Sequence, residues 1–111
     1  MGVAYATRGP GFTNLITPMA EAYYESLPVM FLTAHSAAFQ ENIRCLYDQE
    51  IDTCAIAKSI TKFAARIDTI EEFSESFANA IDIALAGKPG PVFLDISKEL
   101  FSKLVDDNCY S

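Results

Sequence analysis

The stretch YATRGPGFTNLITPMAEAYYESLPVMFLT, Tyr5 to Thr33, decides the fold. It begins inside an apolar run, Val3 to Thr7, which closes at Gly9-Pro10-Gly11. A wholly apolar strand that stops at glycines suits a parallel sheet buried on both faces. Thr13 and Asn14 can cap the helix that follows. Thr17 as cap with Pro18 at the first helical position is the alternative start, since proline is tolerated only in a first turn. Either way an irregular first turn is expected, and the helix ends near Ser26-Leu27-Pro28. Val29 to Thr33 then reads as a second buried strand.

The same alternation runs through the rest of the chain. Ala34 to Asp48 is weakly patterned and reads as a loop with a short helix. Loops of that length inside a compact domain are often functional. Glu50 to Lys58 suits a short helix and Ile60 to Ile67 a third strand. The clearest helix is Ile70 to Ala86, with Thr69 and Glu72 spaced as a capping box. Ile70, Phe73, Phe77, Ile81, Ala84 and Leu85 form its apolar stripe, and Gly87 closes it. Lys88-Pro89-Gly90-Pro91 is a turn, Val92 to Ile96 a fourth buried strand, and Lys98 to Leu104 a last short helix. The fold class is α/β, three layers around a parallel sheet, with one domain over residues 1–104 and a polar tail over 105–111. Ligands on such sheets gather at the carboxyl ends of the strands. Three places qualify: Thr7 to Asn14, the region after Thr33, and the turn after Ile96.

Composition excludes several classes. Half of the 111 residues are apolar, enough for a core. A net charge of −7 argues against a nucleic-acid partner, and no basic run suits a membrane surface. No apolar stretch reaches the roughly 20 residues of a membrane span. Cys45, Cys54 and Cys109 form no C-x-x-C pair, so structural disulfides and zinc are not expected and a reducing, cytoplasmic setting is. His35 is the only histidine, and without a visible partner it reads as a plain loop residue. Gly9 and Gly11 allow a tight strand-to-helix turn whatever binds there.

Four segments in order, ATRGPGFTNLITPMAEAYYESLPV, FLTA, QEIDTCAIAKSITK and GKPGPVFLDI, resemble the pyrimidine-binding domain of thiamine-diphosphate enzymes of the acetolactate synthase type. The resemblance spans Gly2 to about Leu100. Gln49-Glu50-Ile51-Asp52 matches the family's Phe-Gln-Glu loop motif, by its spacing to Thr61-Lys62, and Phe39-Gln40-Glu41 is a decoy. Asp48 stands in place of the motif's aromatic, and Pro18, Ala34 and Ser97 also depart from the usual residues.

The resemblance implies a thiamine-diphosphate-binding fold lacking its first part. Gly9, Pro10, Gly11 and Asn14 would line the cofactor, and Gln49 would lie near the substrate. It implies carboligation or decarboxylation of 2-oxo acids in the intact enzyme, with thiamine diphosphate and Mg2+. It also implies a diphosphate-binding domain of the same family as partner, and a homo-oligomer. The family's activating glutamate lies on a strand before the Gly-Pro-Gly loop, and its metal signature Gly-Asp-Gly…Asn lies in a separate domain. Neither matches a position here, so the expectation is a chain inactive on its own, whose first strand is an apolar edge. A non-catalytic interaction module is the alternative.

Overall fold

In a computed structural model, residues 1–6, 10–35, 52–98 and 100 are described. They form β1 (Gly2–Ala6), α1 (Pro10–Glu25), β2 (Val29–His35), α2 (Thr53–Ala57), a short 3-10 turn (Lys58–Ile60), β3 (Phe63–Ile67), α3 (Ile70–Leu85) and β4 (Val92–Ser97). The four strands are all parallel, in the order β1-β2-β4-β3. Every residue of β4 is buried, as its central place requires. The three-layer α/β reading therefore holds.

The period of two in the strands sorts the core into two halves. Met30, Val92, Leu94, Ile96 and Ile67 face α3, where Ala80 and Ala84 are buried against them. Phe31 and Phe93 face the other way, onto Phe12, Met19 and Ala22 of α1 and Ala57 of α2. The α3 stripe differs from the sequence pattern at one end: Leu85 is 52% exposed, and Ala80 and Ile83 join the packing instead.

Helix α1 begins at Pro10, ahead of both expected starts, and Pro18 lies inside it. Pro10 suits a first position, because its φ is already helical and it has no N–H to leave unpaired. An interior proline costs about 3 kcal/mol. Phe12 and Met19 are fully buried on one face of this helix, and each burial is worth about 1.5–3 kcal/mol. Together they outweigh the penalty, and the Pro18 ring is left on the exposed face.

The helix ends are specific. Leu27 N–H donates to Ala22 C=O at 2.9 Å and Ser26 N–H to Tyr23 C=O at 3.3 Å, the two bonds of a Schellman motif. Ser26 sits in the left-handed position, at φ 60°, where glycine is usual. After α3 the same place is taken by Gly87, at φ 57°. The Thr69 hydroxyl accepts from Glu72 N–H at 3.1 Å, as a capping box requires. The Glu72 carboxylate, however, accepts from Asp68 N–H, one residue earlier than the box predicts. Of the expected helix Glu50 to Lys58, residues 50 and 51 lie outside the described residues; α2 starts at Thr53, where Asp52 caps it through Ala55 N–H. Strand β3 starts at Phe63, since Lys58 to Ile60 form the 3-10 turn. Most of the expected helix Lys98 to Leu104 lies outside the described residues.

Strand β1 pairs only with β2 among the described residues. Its Val3 and Tyr5 are 67% and 57% exposed, because α3 covers β3, β4 and β2 and leaves β1 bare. Among the described residues β1 is thus an outer strand that leaves the apolar Val3 and Tyr5 exposed.

Candidate functional site

All four strands are parallel, so their carboxyl ends share one edge, and the start of α1 lies there too. Phe12 fixes that start over the sheet by packing its ring on Phe93, 5.1 Å between centroids at 58°. Pro10 stands four residues and Gly11 three residues before Asn14, which places each of them beside Asn14 on the first turns of α1. Gly11 is half-buried and Asn14 exposed. Gly9 and Gln49 lie outside the described residues, as do residues 36–51 as a whole.

The strand register assembles a polar row that the sequence reading did not. Thr33, Asp95 and Arg66 stand opposite one another on β2, β4 and β3. Asp95 is 2% exposed. Its Oδ1 accepts from the Thr33 hydroxyl at 3.0 Å, and its Oδ2 from the Thr53 hydroxyl at 2.6 Å. His35, at the end of β2, puts Nδ1 3.2 Å from Asp95 Oδ1 and Nε2 2.8 Å from Asp68 Oδ1. The Nε2 contact is a well-formed hydrogen bond; the Nδ1 contact is a charge contact off the hydrogen-bond axis. Arg66 Nε lies 3.8 Å from Asp68 Oδ2.

His35 is therefore no loop residue. It is 3% exposed and held between two carboxylates. Burial pulls its pKa down, but the Asp95 carboxylate beside Nδ1 and the hydrogen bond to Asp68 outweigh that and hold it above the usual histidine value. Burial, with the charges of Asp95 and Asp52, pushes the Cys54 thiol up to about 11. Cys54 is thus a protonated, half-buried thiol at neutral pH. Sequence reading noticed Asp95 only as part of a motif and His35 only as a singleton. Their partners stand 62, 42 and 33 residues away, and only the strand register brings them together.

The opposite edge is structural. Lys62 donates from Nζ to the carbonyls of Ala86 at 2.7 Å and Lys88 at 2.8 Å. Its backbone N–H donates to Pro91 C=O at 2.8 Å. Its stem lies so close to Gly90 that a Cβ there would stand 2.7 Å from Lys62 Cδ. Lys62 thus clamps the Gly87 to Pro91 turn. An open cleft of about 270 Å³ lined by Tyr23, Ser26, Lys62, Lys88, Pro89 and Gly90 belongs to this clamp, at the far end from the strand carboxyl termini.

The donors on α1 suit a neutral nitrogen heterocycle. Asn14 offers an amide that both donates and accepts, the first turn carries no acidic side chain, and Gly11 permits close approach of the backbone. They are a poor set for a hard cation, which takes oxygen ligands, mostly carboxylates. No group of three His, Cys, Asp or Glu that could hold a metal ion occurs among the described residues. No helix among them is long and apolar enough to cross a membrane.

Comparison with known proteins gives this edge its context. A family model described as thiamine pyrophosphate enzyme, N-terminal TPP binding domain, matches residues 1–56. The chain is 41% identical over 100 residues to the acetolactate synthase isozyme 2 large subunit of Escherichia coli, covering 89% of this chain and 18% of that protein. It is 39% identical over 109 residues to the probable acetolactate synthase large subunit of Methanocaldococcus jannaschii, covering 98% and 18%. It is 33% identical over 104 residues to the mitochondrial acetolactate synthase catalytic subunit of Saccharomyces cerevisiae, covering 94% and 15%. The chain thus spans less than a fifth of the length of these relatives. The family match covers half of the chain and takes in β1, all of α1 and β2, and the parallel α/β architecture agrees with it: the chain belongs to the N-terminal thiamine-diphosphate-binding domains of thiamine-diphosphate enzymes.

Proposed function

We propose that the chain supplies the pyrimidine side of a thiamine-diphosphate site in an enzyme acting on 2-oxo acids, by acetolactate synthase-like carboligation or by decarboxylation. The observation that carries this is the placement of Pro10 and Gly11 beside Asn14 at the start of α1, at the carboxyl edge of the sheet. Gly9, Pro10, Gly11, Asn14 and Gln49 all fall within the matched residues 1–56, which supports assigning the first four to cofactor binding and Gln49 to the neighbourhood of the substrate. Bound thiamine diphosphate supplies the carbanion-forming carbon that such chemistry needs. This chain's part is to hold the aminopyrimidine ring by amide and backbone hydrogen bonds at a helix start.

The diphosphate and its Mg2+ belong, in this reading, to a diphosphate-binding domain of the same family, met across a homo-oligomer interface. The assembled enzyme is a cytoplasmic transferase or lyase, and the 111 residues alone turn nothing over. The test is direct: the purified chain is incubated with pyruvate, thiamine diphosphate and Mg2+. No acetolactate or carbon dioxide above the blank is expected, and steady turnover overturns the division of labour.

The exposed β1 edge favours a second reading, a non-catalytic module that pairs with another chain through Val3 to Ala6. Sedimentation showing a stable monomer at micromolar concentration removes it.

A further inference from the structure

We infer that His35 is a protonation-controlled staple, whose imidazolium form ties the carboxyl ends of β2, β4 and β3 together by reaching Asp95 with one ring nitrogen and Asp68 with the other. The geometry favours the cation, because both ring nitrogens lie beside carboxylate oxygens. Nδ1 is 3.2 Å from Asp95 Oδ1 and Nε2 is 2.8 Å from Asp68 Oδ1. Carboxylates only accept, and a neutral imidazole has one donor nitrogen and one acceptor nitrogen. Neutral His35 can therefore donate to only one of its two carboxylates, and its other nitrogen offers the second carboxylate no proton. Only the doubly protonated ring suits both.

The surroundings decide how strongly it acts. From β4 comes Asp95, already bound by Thr33 and Thr53. From the end of β3 come Asp68 and Arg66, and Arg66 opposes the charge on His35. The start of α2 brings Cys54 and Asp52, which feel or add to the charge at Asp95. Two carboxylates against one guanidinium leave the site net attractive to a cation, the balance that raises the His35 pKa despite burial. Since the folded value lies above the unfolded one, the staple's stability is complete below about pH 6.5 and is lost as pH rises through the folded value. His35 and Thr53, both on Asp95, also bracket residues 36–52 in sequence, the stretch that carries Gln49. The proposal stands apart from the cofactor reading, since it concerns the chain by itself.

A single histidine makes the test clean, because every imidazole signal in an NMR spectrum belongs to His35. In the 111-residue chain, long-range 1H–15N spectra through a pH titration are expected to show both nitrogens protonated at the acid end, with a midpoint above that of a free histidine. The amides of Asp68, Asp95 and Thr53 should shift with the same midpoint. In Asp68→Asn, a change at a partly exposed position, the midpoint should move down. A midpoint at or below the free-histidine value, or amides that ignore it, overturns the staple. Should Asp68→Asn fail to fold, urea unfolding of the native chain against His35→Gln decides. The native chain should lose stability relative to the variant as pH rises above 6.5, with Cys54 cancelling between the two. A constant difference across that range overturns it.

Discussion

The Thr53 hydroxyl donates to Asp95 Oδ2 at 2.6 Å, across 42 residues of sequence. This bond joins the first residue of α2 to the central strand, and it shares its acceptor residue with Thr33 and His35. Two hydroxyl donors and one imidazole contact converge on one buried carboxylate, so the row stands or falls with Asp95.

Replacing Asp95 should therefore be the most damaging single change in the row. Asp95→Ala leaves two buried hydroxyls without their acceptor and removes a carboxylate from beside His35, and each buried group left unsatisfied costs about 1–3 kcal/mol. Asp95→Asn keeps the shape and one acceptor and should cost less. Thr53→Val removes a single donor, for about 1–3 kcal/mol. Urea denaturation of the three variants measures the order.

The Lys62 clamp makes a prediction about coupling. Gly90→Ala drives a Cβ against the Lys62 stem, which cannot swing away while its ammonium holds the carbonyls of Ala86 and Lys88. Overpacking of this kind costs about 1–3 kcal/mol. In a Lys62→Ala background the obstruction is gone, so most of that cost should vanish. A double-mutant cycle reads the difference, and strictly additive losses would show that the contact carries no strain.

At the end of α1 the expected change is a gain. Ser26 occupies a left-handed conformation at φ 60°, which costs an L-residue about 1–2 kcal/mol relative to glycine. Glycine's greater freedom in the unfolded chain offsets part of this. Ser26→Gly should raise the unfolding free energy by up to about 1 kcal/mol, and a lower melting temperature would contradict the assignment of the motif.

Cys54 should be slow to react. With its thiol pushed up to about 11, little thiolate exists at pH 8, and the group is half-buried besides. Peptide-resolved alkylation by iodoacetamide at pH 8 should label Cys54 much more slowly in the native chain than in urea. The raised value also means that the thiol's contribution to stability is full below the unfolded pKa and is lost as pH climbs toward 11.

Much of the fold was legible because local signals agreed with one another. The unbroken apolar run of Val92 to Ile96 announced a central strand, and Thr69, Glu72 and Gly87 marked both ends of α3. The start of α1 was misread because Pro18 carries a strong local signal, while the burial of Phe12 and Met19 that overrides it is a tertiary fact. The candidate site divides the same way. Gly11 and Asn14 were visible as a turn and a helix start. The Thr33–Asp95–Thr53 and Asp95–His35–Asp68 contacts were not, since strand order β2-β4-β3 is what sets those side chains side by side. A lone histidine at the end of one apolar strand and a lone aspartate inside another were the signal available in the sequence.

The measurement that bears most directly on function is a transplant. Residues 2–100 replace the matching segment of the Escherichia coli isozyme 2 large subunit, to which the chain is 41% identical. Thiamine diphosphate binding by the purified chimera is then followed by calorimetry in the presence of Mg2+. Binding within about tenfold of the parent's affinity, weakened by Asn14→Ala, is the expected result. A chimera that folds and assembles like its parent but takes up no cofactor would contradict the assignment of this edge of the sheet to the pyrimidine ring.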